Sequence, residues 1–99
     1  MAEQISLDSV LCASSNQVSS WVGDEAAILD LERSIYYSLD PIGARIFDLL
    51  QHPARLGDVL DTIRAEYNVD DVTARTDLIA LVQDLLSNDL VVVREPGAG

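Results

Sequence analysis

The dipeptide Asp40-Pro41 divides this chain into two hydrophobic patterns, and that division constrains the fold more than any other feature. Before it, apolar residues recur at every second position: Ala27, Leu29 and Leu31, then Ile35, Tyr37 and Leu39. After it the spacing becomes three and four, with Ile42, Ile46, Leu49 and Leu50 in a stripe and Phe47 beside it. A period of 2 reads as strand and one of 3.6 as helix. The Asp carboxylate can accept the first free amides of a helix, and proline is tolerated at the first helical position, where no N–H is needed. The strand-to-helix switch therefore falls within a residue or two of Asp40. Between the two strands a three-residue loop, Glu32, Arg33 and Ser34, is expected. It pairs Leu31 with Ile35, Leu29 with Tyr37 and Ala27 with Leu39, putting all six on one face, whereas a two- or four-residue loop opposes apolar to polar positions.

The rest of the chain reads outward from this unit. Residues 1–9 carry weak signals, and residues 1–17 as a whole read as a weakly ordered segment or short edge strand, with an apolar run at Val10 to Ala13. Ser14, Ser15, Asn16 and Gln17 form a polar turn cluster, and Val18 to Val22 reads as a strand with Ser19 and Trp21 on the face opposite Val18 and Ser20. Gly23-Asp24 joins it to the hairpin. Downstream, Gln51, His52 and Pro53 end the first helix. Leu56, Val59, Leu60, Ile63 and Tyr67 define a second, amphipathic helix, closed by Asn68 as a left-handed residue. Asp70 or Asp71 caps a third helix running to about Asn88; Leu90 to Val93 is a short extended run and EPGAG a tail. The expected fold is α+β: a small three-stranded antiparallel sheet, possibly four-stranded, followed by three helices in a winged-helix-like arrangement. The domain is expected over residues 18–94, with 95–99 as its tail.

Composition narrows the function. Ninety-nine residues make one domain, burying roughly 60–70% of its unfolded surface. Seventeen acidic against 6 basic residues give a formal charge of −11, which argues against nucleic acid and anionic membrane as partners and favours a basic one. One cysteine, Cys12, allows no internal disulfide and suits a reducing compartment. No signal-peptide pattern and no apolar run near ~20 residues is present, so a cytoplasmic protein is expected. The glycines at 23, 43 and 57 are isolated, no Cys/His cluster has metal spacing, and the acidic pairs sit at turns. No cofactor and no catalytic activity are expected. An enzymatic reading would have to rest on His52, in a polar loop, or on Cys12, in a strand.

The third helix carries more apolar surface than a core requires. Val72, Leu78, Ile79, Leu81, Val82, Leu85 and Leu86 span about 180° of its wheel, against a core-facing stripe of ~100°. Either the helix is central and buried on two sides, or one of its flanks lines a groove. The wheel itself leaves open which flank that is. As a DNA-recognition helix it has the wrong sign, since one Arg stands against three Asp among its polar residues.

Taken together, ILDL at 28–31, IYYSLD at 35–40, GARIFDLL at 43–50, LGDVLDTIRAEYNVD at 56–70 and NDLVVV at 88–93 resemble the PqqD-like family. These are small domains that recognise the leaders of ribosomally made, modified peptides. The YYxLDxxGxRIxxLL core looks most like the stand-alone members that serve lasso-peptide clusters, and the likeness runs from Val18 onward. It departs at Ser34, where many members have glycine. The resemblance implies a leader peptide adding as a strand beside Ser34 to Leu39, in a cleft next to the third helix. On that reading the peptide-binding residues are Ser34, Ile35, Tyr36, Tyr37, Ser38, Arg75, Leu78, Ile79, Val82 and Leu86. A leader Tyr or Pro would insert among Tyr36, Tyr37, Ile79 and Val82, and Arg75 would pair with a leader carboxylate. Tyr37 shares a face with Leu29 and so reads as core, leaving Tyr36 as the better groove residue. The partners implied are the precursor leader and a leader peptidase, cyclase or other modifying enzyme. The alternative is a winged-helix transcription regulator, which the charge opposes.

Overall fold

The computed structural model describes residues 5–15 and 17–94. The EPGAG tail, residues 1–4 and Asn16 of the polar turn lie outside the described residues. Nine elements follow in order: β1 Val10–Ala13, β2 Gln17–Val22, β3 Glu25–Asp30, β4 Ile35–Leu39, α1 Pro41–Leu49, β5 Ala54–Arg55, α2 Leu56–Glu66, α3 Asp71–Ser87 and β6 Val91–Val93. The α+β architecture stands as the patterns implied. Asp40 is the N-cap of α1, its carboxylate accepting from the Gly43 amide at 2.8 Å, and Pro41 is the first helical residue. Asp70 caps α3 in the same way, accepting from the Thr73 amide at 3.1 Å. Gly23 turns β2 into β3 with φ of +64°, a conformation that glycine adopts without penalty.

The hairpin register differs from expectation by one residue. Strands β3 and β4 pair Ala26 with Leu39, Ile28 with Tyr37, Leu29 with Tyr36 and Asp30 with Ile35, so the loop has four residues, Leu31 to Ser34. The expected register assumed one apolar face, but the strands carry apolar residues on both. Ala26, Ile28 and Leu39 turn inward and are almost wholly buried, while Leu29 and Leu31 face outward. Asp30 decides the matter. Buried at the strand end, it accepts the Glu32 amide at 2.9 Å and the Arg33 amide at 3.2 Å through one carboxylate oxygen. Its own carbonyl accepts the Ser34 amide at 2.8 Å, closing the loop. Ser34 sits at φ +57°, in the left-handed region that glycine occupies at least cost.

The sheet β2-β3-β4 is antiparallel with β4 at one edge. A second antiparallel sheet, β5-β1-β6, was not foreseen as a unit. Val10–Ala13 is its central strand, with Leu11 fully buried between Ala54 and Val93. Alpha-helix α2 has no side-chain cap, because its first amides are taken by the chain's beginning: Leu56 N–H donates to Ser9 O at 3.0 Å and Gly57 N–H to Leu7 O at 2.7 Å. Arg55 reinforces this junction through Asp8 and Asp58. Asn68 is not left-handed, and Tyr67 ends α2 in extended backbone. The left-handed residue follows α3 instead: Asp89, at φ +58°. There Asp89 N–H donates to Leu86 O at 3.0 Å and Leu90 N–H to Leu85 O at 2.9 Å, which ends the helix and drives Leu90 into the core.

Candidate functional site

Beta-strand β4 pairs with β3 on one side only, so its other edge presents unpaired backbone groups. Beside that edge lies an open groove of about 360 Å³, walled by Ser38, Leu39 and Asp40, by Ile42, Gly43 and Ile46 of α1, and by Asp77, Ala80 and Leu81 of α3. Gly43 keeps the floor low, since a methyl group there would press on Asp40 Oδ1 at 3.1 Å and touch Leu39 and Leu81 at 3.5 Å. The groove is apolar at its base and acidic at its rim.

Two polar contacts hold β4 and its loop to the C-terminal end of α3. The Tyr37 hydroxyl donates to the Asp84 carboxylate and accepts from Asn88 Nδ2 at 3.2 Å. Arg33, in the loop, pairs with Asp89. Partial burial, then the Asp84 carboxylate, push the Tyr37 phenol up to about 12, so it stays protonated and donating across the neutral range. These contacts close one end of the cleft and leave the end at Ser38 and Leu39 open.

The structure distributes the sequence-derived site residues unevenly. Ser34, Ile35, Tyr36, Tyr37 and Ser38 do lie together along β4 and its approach, with Tyr36 exposed on the outer face and Tyr37 half-buried on the inner one. Tyr37 is thus neither plain core nor free groove surface: it ties strand to helix. On α3 the expected flank is the wrong one for this cleft. Leu78 and Val82 are 2% and 0% exposed and belong to the core. Arg75 is exposed and pairs with Asp71 at 3.2 Å, on the opposite flank from Asp84. Ile79 is partly buried against the core, and Leu86 lines a different concavity, with Gln83, Ser87 and Val91–Val93. The flank turned to β4 is Asp77, Leu81, Asp84 and Asn88, with Ala80 beside them. Their spacing of i, i+4, i+7 and i+11 was available as a signal, but three of these four are polar and so fell outside an apolar stripe. The two residues considered for catalysis lie elsewhere: Cys12 in β1 and His52 in the turn after α1.

The family model described as Coenzyme PQQ synthesis protein D (PqqD) matches residues 25–91, from the start of β3 into β6. Among solved structures, the chain is similar to TbiB1 in complex with the TbiA(beta) leader peptide, with 33% identity and a TM-score of 0.77 over 86% of this chain and 99% of that one. It is also similar in fold to a lasso peptide synthetase B1 complexed with its leader peptide, with 23% identity and a TM-score of 0.72 over 83% of this chain and 96% of that one. No curated protein sequence matches. A family match that spans the edge strand, the helix behind it and most of the domain leads to one conclusion: the chain belongs to the PqqD family.

Proposed function

We propose that this chain is a non-catalytic peptide-binding adaptor. It captures the leader of a ribosomally synthesised precursor by strand addition to β4 and delivers the precursor to its processing enzymes, a leader peptidase or a cyclase. The observation that carries this reading is the free edge of β4 running beside a groove about 360 Å³ in volume. Two solved proteins of the same fold, TbiB1 and a lasso peptide synthetase B1, are each held with a leader peptide.

The chemistry of the edge suits that task. Main-chain hydrogen bonds to Ile35–Leu39 give affinity to any extended peptide, and alternate side chains of the leader then enter the groove. The groove's base of Ile42, Leu39 and Leu81 takes an apolar side chain, and Asp40 and Asp77 at its rim favour a neutral or basic neighbour. In this role the chain would act in the cytoplasm, on newly made precursor. Its described residues include no helix long and apolar enough to cross a membrane. As a transcription regulator, α3 would have to bring Asp77 and Asp84 toward phosphates, which the charge forbids.

The test is a titration of isotope-labelled protein with the leader of the cognate precursor. Amide shifts concentrated in Ser34 to Leu39 and along Asp77 to Asn88 are expected. Binding that leaves β4 unshifted, or no binding at ~100 μM leader, would refute the reading.

A further inference from the structure

The sheet β2-β3-β4 has a second face, away from the groove and the helices. Val18, Leu29 and Tyr36 stand directly opposite one another across its three strands and are 53%, 42% and 69% exposed. Leu31, 57% exposed, follows in the loop after β3, and Val22, 77% exposed, lies on β2 beyond the next row. An antiparallel face turned to water is ordinarily polar, as the adjoining row Ser20, Ala27 and Ser38 nearly is. A contiguous apolar row at such a face marks an interaction surface.

Two features identify what covers it. The rim is acidic: Asp24 and Glu25 at one end and Glu32 at the other are exposed, and the nearby cation, Arg33, is already paired with Asp89. A second copy would bring acidic rim to acidic rim on chains of −11 each, whereas a surface ringed with Lys and Arg matches in sign. The face is also continuous with the leader site. A strand added at β4 extends the sheet, and every second side chain of that strand stands on the same face as Tyr36. Whatever docks on Val18, Leu29 and Tyr36 therefore lies against the bound leader as well.

We propose that the outer face of β2-β3-β4 is the docking surface for the enzyme that processes the bound precursor, a partner presenting an apolar surface ringed by basic residues. This rests on the adaptor reading above, and the test separates the two. Leu29→Ser and Val18→Ser change residues outside β4 and outside the groove, and Leu29→Lys adds a charge that repels a basic partner. Leader affinity is read by anisotropy of a labelled cognate leader. Partner affinity is read by surface plasmon resonance, using the purified leader peptidase that cleaves that precursor and leader-loaded adaptor. Circular dichroism confirms that each variant is folded. Leader affinity within about twofold of wild type, with peptidase affinity about tenfold lower for the Ser variants and lower still for Leu29→Lys, supports the proposal. Unchanged peptidase affinity overturns it. So does a wild-type dimer, seen by sedimentation, that the variants abolish, since the face would then belong to a second copy. Failure of the wild-type chain to bind leader at all would instead sink the adaptor reading itself.

Discussion

Replacing Tyr37 by Phe tests whether the cleft is held at a set width by the contact between β4 and α3. The substitution keeps the ring, which faces Ile28 across the strand pair, and deletes only the hydroxyl that donates to Asp84 and accepts from Asn88. A hydrogen bond to a charged acceptor contributes about 1.5–3 kcal/mol when well shielded. Tyr37 is only half-buried and Asp84 is exposed, so water screens the pair and about 1 kcal/mol is the reasonable expectation. Asn88 keeps its bond to Asp84 O at 2.9 Å, so no buried group is orphaned. For a domain of this size about 1 kcal/mol lowers Tm by roughly 4–8 °C. The pH dependence adds a second signature. The folded phenol titrates near 12 against an ordinary 10.0, so its stabilisation is complete below pH 10 and is lost as pH rises through the folded value. Ultraviolet titration of the wild type should show one tyrosine ionising late, and that phase should vanish in Tyr37→Phe. In a double-mutant cycle, Asp84→Asn should add little once Tyr37 is Phe. An unchanged Tm in Tyr37→Phe, together with a wild-type titration in which no tyrosine ionises late, would refute the clasp.

Further expectations follow from other elements. Asp40→Ala removes the cap of α1 and should cost about 1 kcal/mol, measured by urea denaturation. Val82→Glu buries an unpaired charge at a fully enclosed position and should abolish the folded spectrum, whereas Tyr36→Ala should leave stability nearly unchanged and weaken leader binding. Ser34→Gly relieves a left-handed conformation worth about 1 kcal/mol while freeing the unfolded chain by roughly half as much. A small net gain in stability should be seen by thermal melting. Arg45 holds Glu66 in two parallel hydrogen bonds of 2.8 Å, and these keep the Glu66 carboxyl below its ordinary range. That contribution is present above the usual carboxylate pKa and fades as pH falls through the folded value, so Glu66→Gln should flatten the stability profile in acid.

How far the sequence carried these conclusions depended on whether chemistry or pattern was being read. Asp40-Pro41 and Asp70 were legible because a cap is a local bond between one side chain and an amide three residues on. The hairpin register was not, because Ala26, Ile28, Leu29 and Tyr36 place apolar side chains on both faces and alternation cannot choose between them. What chose was Asp30 folding its carboxylate into the loop, a turn interaction that hydrophobic periodicity does not encode. The groove flank of α3 was missed for a related reason. Val82 and Leu78 are apolar because they are core, while the residues that face β4 include Asp77, Asp84 and Asn88. The second sheet escaped because its strands have two to four residues each and come from the beginning, the middle and the end of the chain.

That second sheet also governs how the molecule can be cut. Beta-strands β5 and β6 touch only through β1, so each depends on residues that precede the family-matched region. A version trimmed to residues 25–91 would lose β1 and β2 together. Its remaining hairpin would then present β3, in place of β2, as the bare edge opposite β4. The strand β2, outside the family-matched region, is therefore what keeps the backbone of β3 paired on both sides.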